Sequence, residues 1–101
     1  MSDETILVKI DRKLDVLAPK FLTDCRKLLN ELRGAIESGD IAATRRIGHS
    51  LRGTASSYGF DGIGSIGEEI EHAARAADAA ALRTLAERLD NYLARVRPVF
   101  D

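Results

Sequence analysis

Residues 38–61 read SGDIAATRRIGHSLRGTASSYGFD, and the residues that break and cap helices within this stretch indicate the fold. Gly39 is a residue type that ends helices, and Asp40 is one that caps the start of the next helix. Gly59 closes the following segment, which contains no proline, so the stretch predicts a helix over about 41–58. Such short connections between long helices favour antiparallel neighbours.

Three further helices are indicated on either side of this stretch. The first follows a short entry turn that Asp11 can cap, and the third covers about 62–77 behind a possible cap at Asp61. The fourth begins after Asp78 and is stopped by Pro98. Apolar residues at steps of three and four give the first and fourth helices one buried face each: Ala18, Leu22, Cys25, Leu29, Leu32, Ile36, and Leu82, Leu85, Leu89, Leu93, Val96.

The predicted fold class is all-α, an antiparallel up-down four-helix bundle with a short N-terminal helical turn, over residues 11–101. Residues 1–10 include the one segment with strand character, TILVKI at positions 5–10. Because we find no second strand for this segment, we predict an extended N-terminal arm that lies on the body of the bundle.

Composition limits the class of protein. A chain of 101 residues that is 45% hydrophobic is one folded domain, which excludes a disordered chain and a multidomain enzyme. The net charge of -1 argues against a nucleic-acid partner, and no apolar run is long enough for a membrane span. A single cysteine excludes a disulfide scaffold, and the polar start MSDET does not resemble a secretory signal. We therefore expect a cytoplasmic, free-standing monomer.

The second helix has an informative outer face. At about 100° per residue, one side carries the residues that we assign to the core: Ile47, Leu51, Thr54 and Tyr58. His49 lies almost opposite, at about 200° from Ile47. The outer face around it carries Arg45, Arg52, Gly53 and Ser56. The sequence thus predicts an exposed histidine between two arginines, with a glycine one turn further along.

This arrangement suits a group that receives an anion. A neutral imidazole is a nucleophile, and its exposure lets a partner reach it. Neighbouring arginines attract a phosphoryl group, and Gly53 removes the side chain that would otherwise crowd the ring. From the residues alone, an ordinary solvated surface with one histidine explains the same pattern.

The string from Ile47 to Phe60, IGHSLRGTASSYGF, resembles the signature of histidine-containing phosphotransfer (Hpt) domains. These carry an apolar residue two positions after the histidine, a basic residue three after it and a glycine four after it. The resemblance implies that His49 is the phosphorylated residue, that Arg52 steadies the phosphoryl oxygens and that Gly53 gives a partner room. In chemotaxis-kinase relatives a glutamate of the next helix lies beside the histidine, and Glu71 falls at that position.

The resemblance also implies a role and partners. Hpt domains relay phosphoryl groups to and from the aspartates of receiver domains, in response regulators or hybrid histidine kinases. The chain would be a carrier rather than an enzyme, with no cofactor of its own, and the receiver would hold Mg²⁺. Around His49, Arg45 and Ser56 are further candidates for phosphoryl stabilisation. The alternative is a helical docking module that regulates a receiver or kinase without being phosphorylated.

Three other patterns have simpler explanations. The string GIGSIG at 62–67 matches a dinucleotide-binding motif, but no strand precedes it, so close helix packing is the better interpretation. Glu69 and His72 form one Glu-x-x-His pair, whereas a di-iron bundle needs two, so we predict a surface histidine and no metal. Cys25 lies in an apolar stripe and should be a buried, inert thiol.

Overall fold

Four antiparallel helices form an up-down bundle in the computed structural model, which describes residues 4–101. In chain order the elements are strand β1 (Ile6–Ile10), a 3-10 turn (Arg12–Leu14), helices α1 (Leu17–Ser38), α2 (Ile41–Tyr58), α3 (Asp61–Arg75) and α4 (Ala79–Arg95), and strand β2 (Val96–Phe100). Each helix packs against its neighbours in sequence, and α1 also packs against α4, which closes the bundle. The predicted all-α bundle is confirmed.

Local capping sets most helix boundaries as predicted. The side chains of Asp40 and Asp78 each accept a hydrogen bond at 3.0 Å from the backbone N–H three residues on. Gly39 and Gly59 end α1 and α2 with φ of 71° and 84°, in the left-handed region that favours glycine. Asp11 caps the entry turn by accepting from the Lys13 backbone N–H at 2.9 Å.

The third helix departs from the prediction at both ends. Asp61 is its first residue rather than its cap, and Phe60, which occupies the cap position, makes no side-chain cap hydrogen bond. Phe60 is fully buried, so packing rather than capping fixes this end of α3. The helix stops at Arg75 because the chain turns at Ala77, whose φ is 52°.

The core is built from the apolar stripes of all four helices and includes Cys25, as predicted. The face of α2 was assigned wrongly at one position, since Thr54 is exposed. Burial on α2 is shifted toward the side of Thr44, Gly48 and Ala55, because α3 packs closely against that side. The ring of Phe21 stacks on two rings near the end of α2, at 4.7 Å and 5.4 Å between centroids, those of Tyr58 and Phe60.

The prediction of an unpaired N-terminal arm was wrong. Strand β1 pairs in parallel with β2, from Ile6 opposite Val96 to Ile10 opposite Phe100. The fourth helix ends at Arg95, and Pro98 lies inside β2. A proline lacks the N–H of a ladder, but each strand of a two-stranded sheet has an outer edge where none is needed. Ile10 and Val96 are both buried and belong to the hydrophobic core.

Within the described residues, no helix is both long and apolar enough to cross a lipid bilayer.

Candidate functional site

His49 lies on the outer face of α2, and 67% of its side chain is exposed. The reason is the helical period: Ile47 and Leu51, two residues on either side, are buried in the core, so the residue between them faces outward. The predicted position of His49 is therefore the observed one.

The backbones of α2 and α3 approach very closely at two glycines next to this histidine. A Cβ atom at Gly48 would lie 2.8 Å from both the Glu71 N atom and the Gly67 O atom. A Cβ atom at Gly67 would lie 2.7 Å from the Arg52 N atom and 2.8 Å from the Gly48 O atom. No side chain fits at either position, so the two glycines let α3 bring its residues against His49.

Glu71 is the residue that this approach places beside the imidazole. Its side chain is only 5% exposed, and its Oε2 atom lies 3.3 Å from His49 Nδ1. A carboxylate can only accept a hydrogen bond, so this contact suits the tautomer with its proton on Nδ1. In that tautomer Nε2 carries the lone pair and is the nucleophilic nitrogen.

Two arginines compensate the buried carboxylate. Arg75 Nη2 donates to Glu71 Oε2 at 3.1 Å, and Arg52 Nη1 lies 3.5 Å from Glu71 Oε1. Arg52 Nη2 also lies 3.4 Å from His49 Nδ1, where it competes with the Glu71 contact, because a guanidinium only donates and can pair only with an unprotonated Nδ1. Within residues 4–101, Oε1 accepts no hydrogen bond, so its stabilisation comes from the charge of Arg52. A buried carboxylate without such partners would be strongly unfavourable.

Arg75 is a site residue that the sequence interpretation missed. It stands four residues after Glu71 on α3, the spacing at which a glutamate and an arginine pair on one helix face. That spacing was the available signal. The spacing of Glu71 and Arg75 indicates a site residue only when Glu71 is known to be buried beside the histidine.

The remaining predicted site residues differ in their distance from His49. Arg45 lies beside it and lines the same groove between α2 and α3. Gly53 is exposed, and a Cβ atom there would have nothing within 4 Å, so the helix surface after the histidine is open. Ser56 is exposed, but it stands two helical turns from His49, about 10 Å along the axis.

The other candidate chemistry does not converge on His49. No group of three or more potential ligands (His, Cys, Asp or Glu) in residues 4–101 is arranged to hold a metal ion. Glu69 forms an ion pair with Arg88 at 3.1 Å, and His72 is exposed. Burial, with a contribution from the negative charge of Asp24, raises the pKa of the Cys25 thiol to about 12, which keeps it protonated and unreactive.

The model of the Hpt domain family matches residues 16–98, which is most of the chain. The chain belongs to the Hpt domain family. Hpt domains are phosphocarrier modules of two-component signalling rather than true enzymes, and the family implies interaction with receiver domains. No curated protein and no solved structure shows significant similarity to this Hpt domain.

Proposed function

We propose that this Hpt domain carries a phosphoryl group on Nε2 of His49 and exchanges it with receiver-domain aspartates in a multistep phosphorelay. The observation that carries the proposal is the exposed imidazole whose Nδ1 faces the buried Glu71 carboxylate at 3.3 Å. That contact orients the ring and leaves Nε2 free to act as the nucleophile.

In the transfer step, the lone pair of Nε2 attacks the phosphorus of an aspartyl phosphate. The N–P bond forms while the bond from phosphorus to the aspartate oxygen breaks, and its electron pair leaves with the carboxylate. The proton on Nδ1 stays in place. The ring then carries a positive charge, because both nitrogens are substituted, and Glu71 stabilises that charge. The step is reversible, so the same site can return the group to another aspartate.

Arg52 has a second role in this proposal. It is 44% exposed and stands beside the imidazole, so it can turn from Glu71 toward the phosphoryl oxygens that arrive on His49. Arg75 would then hold the carboxylate in place. Mg²⁺, bound by the acidic pocket of the receiver, would neutralise charge on the transferring group. Because the receiver would supply the metal ion, the Hpt domain acts as a carrier. We place this exchange in the cytoplasm.

The two histidines of the chain provide a matched test. His49 and His72 are both exposed helix residues, and within residues 4–101 only His49 has a buried carboxylate beside it. Incubation with a phosphorylated receiver should add one acid-labile phosphoryl group to the native chain and to His72→Gln, and none to His49→Gln. NMR of the ¹⁵N-labelled product should place the phosphorus on Nε2.

Phosphorylation of the His49→Gln variant would overturn the assignment. A chain that binds a receiver but remains unmodified would instead be the docking module described above.

A further inference from the structure

A cationic groove runs beside His49, between the first half of α2 and the end of α3. Its volume is about 720 Å³. His49 and Glu71 border it, and its other lining residues are three arginines and three small or apolar residues: Arg45, Arg46, Arg75, Ile41, Ala42 and Ala74. The groove therefore extends beyond His49 and Glu71 and combines positive charge with apolar surface.

The positive charge of this groove is poorly compensated. Within residues 4–101, Arg45 and Arg46 have no carboxylate within 4 Å, and Arg75 shares the single carboxylate of Glu71 with Arg52. Some arginines on other faces do pair with a carboxylate: Arg88 pairs with Glu69, and Arg33 pairs with Asp90. Since the chain as a whole carries a net charge of -1, this concentration of cations is a local property of one surface.

We propose that this groove binds an acidic segment of the receiver domain and thereby selects the receiver that exchanges phosphoryl groups with His49. The inference rests on the proposed function and adds a partner chemistry to it. Uncompensated arginines are complementary to carboxylates, and the exposed apolar surface of Ile41 and Ala42 fits an aliphatic or aromatic side chain next to them.

The position of the groove explains how docking there serves transfer. Arg45 and Arg46 precede His49 by four and three residues, so they occupy the helical turn next to it on the same face. The open surface at Gly53 lies on the other side of the histidine. A partner held in the groove can therefore extend over His49 toward the open surface at Gly53.

The distribution of charge favours a protein over a nucleic acid as the occupant of the groove. A nucleic acid is bound by basic residues spread along an extended surface, usually on a domain with a basic excess. Here the arginines without a carboxylate partner that lie beside His49, Arg45 and Arg46, share one groove with apolar lining, on a chain whose charge is slightly negative.

The test reverses one charge in the groove and compares two phosphodonors. One donor is the phosphorylated receiver domain from the source organism that transfers fastest to the native chain. The other is phosphoramidate, which gives up its phosphoryl group to the imidazole and releases ammonia, and which is too small to need a docking surface. Arg46→Glu is the variant, since Arg46 makes no contact with His49 or Glu71 in the described part of the chain.

Arg46→Glu should lower the second-order rate constant of transfer from the receiver at least about tenfold more than that from phosphoramidate. This extra loss should shrink in 1 M NaCl, where charges are screened beyond about 3 Å. Arg83→Glu is the matched control, because Arg83 is an exposed arginine in a different groove, between α1 and α4. It should leave both rate constants unchanged.

The other outcomes separate the two proposals. Equal losses with both donors, or no loss with the receiver, would overturn the docking role while leaving the phosphorylation of His49 intact. Displacement of the receiver by duplex DNA at physiological salt would overturn the choice of a protein partner. Failure of His49 to accept phosphate from either donor would instead overturn the proposed function.

Discussion

Replacing glycine by alanine should have opposite effects on stability at two positions of the site, Gly53 and Gly67. Both are interior residues of long helices, Gly53 in α2 and Gly67 in α3. The same methyl group therefore brings the same gain in helix propensity, about 1 kcal/mol. The difference between the two variants comes from what the methyl group meets.

At Gly53 the new Cβ atom has nothing within 4 Å. The propensity gain is then undiminished, so Gly53→Ala should raise the free energy of unfolding by about 1 kcal/mol. For a domain of this size that corresponds to a rise in Tm of about 4–8 °C.

At Gly67 the new Cβ atom would lie 2.7 Å from the Arg52 N atom, 2.8 Å from the Gly48 O atom and 2.9 Å from the Leu51 Cβ atom. Two of these are backbone atoms that cannot move without moving α2, so the overpacking penalty should reach the upper end of its usual range, about 3 kcal/mol. After subtracting the propensity gain of about 1 kcal/mol, Gly67→Ala should lose about 2 kcal/mol.

Urea unfolding followed by circular dichroism measures both variants against the native chain. Because the change in each variant is a single methyl group, the unfolded states are closely comparable. A stabilised Gly67→Ala, or a Gly53→Ala that loses stability, would refute the close approach of α2 and α3 and the open surface after His49. In Gly67→Ala, NMR should also show a weakened contact between His49 and Glu71.

Three other outcomes are expected. Glu71→Gln should lower the fraction of His49 that carries its proton on Nδ1, as ¹⁵N NMR at neutral pH can measure; an unchanged tautomer ratio would show that the carboxylate does not set it. The pKa of Cys25 is raised to about 12 in the folded state, so between about pH 9 and pH 12 the thiol loses its proton only on unfolding. The free energy of unfolding should therefore fall in this range by up to about 1.4 kcal/mol per pH unit. Cys25→Ala should show a shallower fall in the same unfolding series, and an equal slope would contradict the assignment of the fall to Cys25. Asp40→Ala and Asp78→Ala should each cost about 1 kcal/mol in urea unfolding, through the loss of one N-cap hydrogen bond at 3.0 Å; stability equal to that of the native chain would show that the caps do not contribute.

The outward position of His49 followed from the sequence because it depends on local geometry. The helical period relates Ile47, His49 and Leu51, so a residue between two buried residues at this spacing faces solvent. The same locality explains why the caps at Asp40 and Asp78 were predictable, since each depends on a hydrogen bond to a residue three positions away.

The surroundings of His49 depend on contacts between residues far apart in sequence. The period of α2 alone placed Thr54 in the core, but the position of α3 decided which side of α2 is covered. Likewise, the Glu-x-x-x-Arg spacing of Glu71 and Arg75 is common on helix surfaces, and only the burial of Glu71 makes it part of the site. Apolar periodicity gives the direction of a helix face to within a residue or so and does not give the rotation between two helices.

The sequence by itself determined four helices, the caps of α2 and α4 at Asp40 and Asp78, and a histidine that faces solvent, because hydrogen bonds and apolar steps within a few residues define these features. Tertiary structure alone decided the distance from Glu71 to His49, the grouping of Arg45, Arg46 and Arg75 along one groove, and the pairing of β1 with β2. Those features require the backbones of α2 and α3 to touch at Gly48 and Gly67, and the two ends of the chain to meet. Contacts of that range arise only when the bundle has closed around its core.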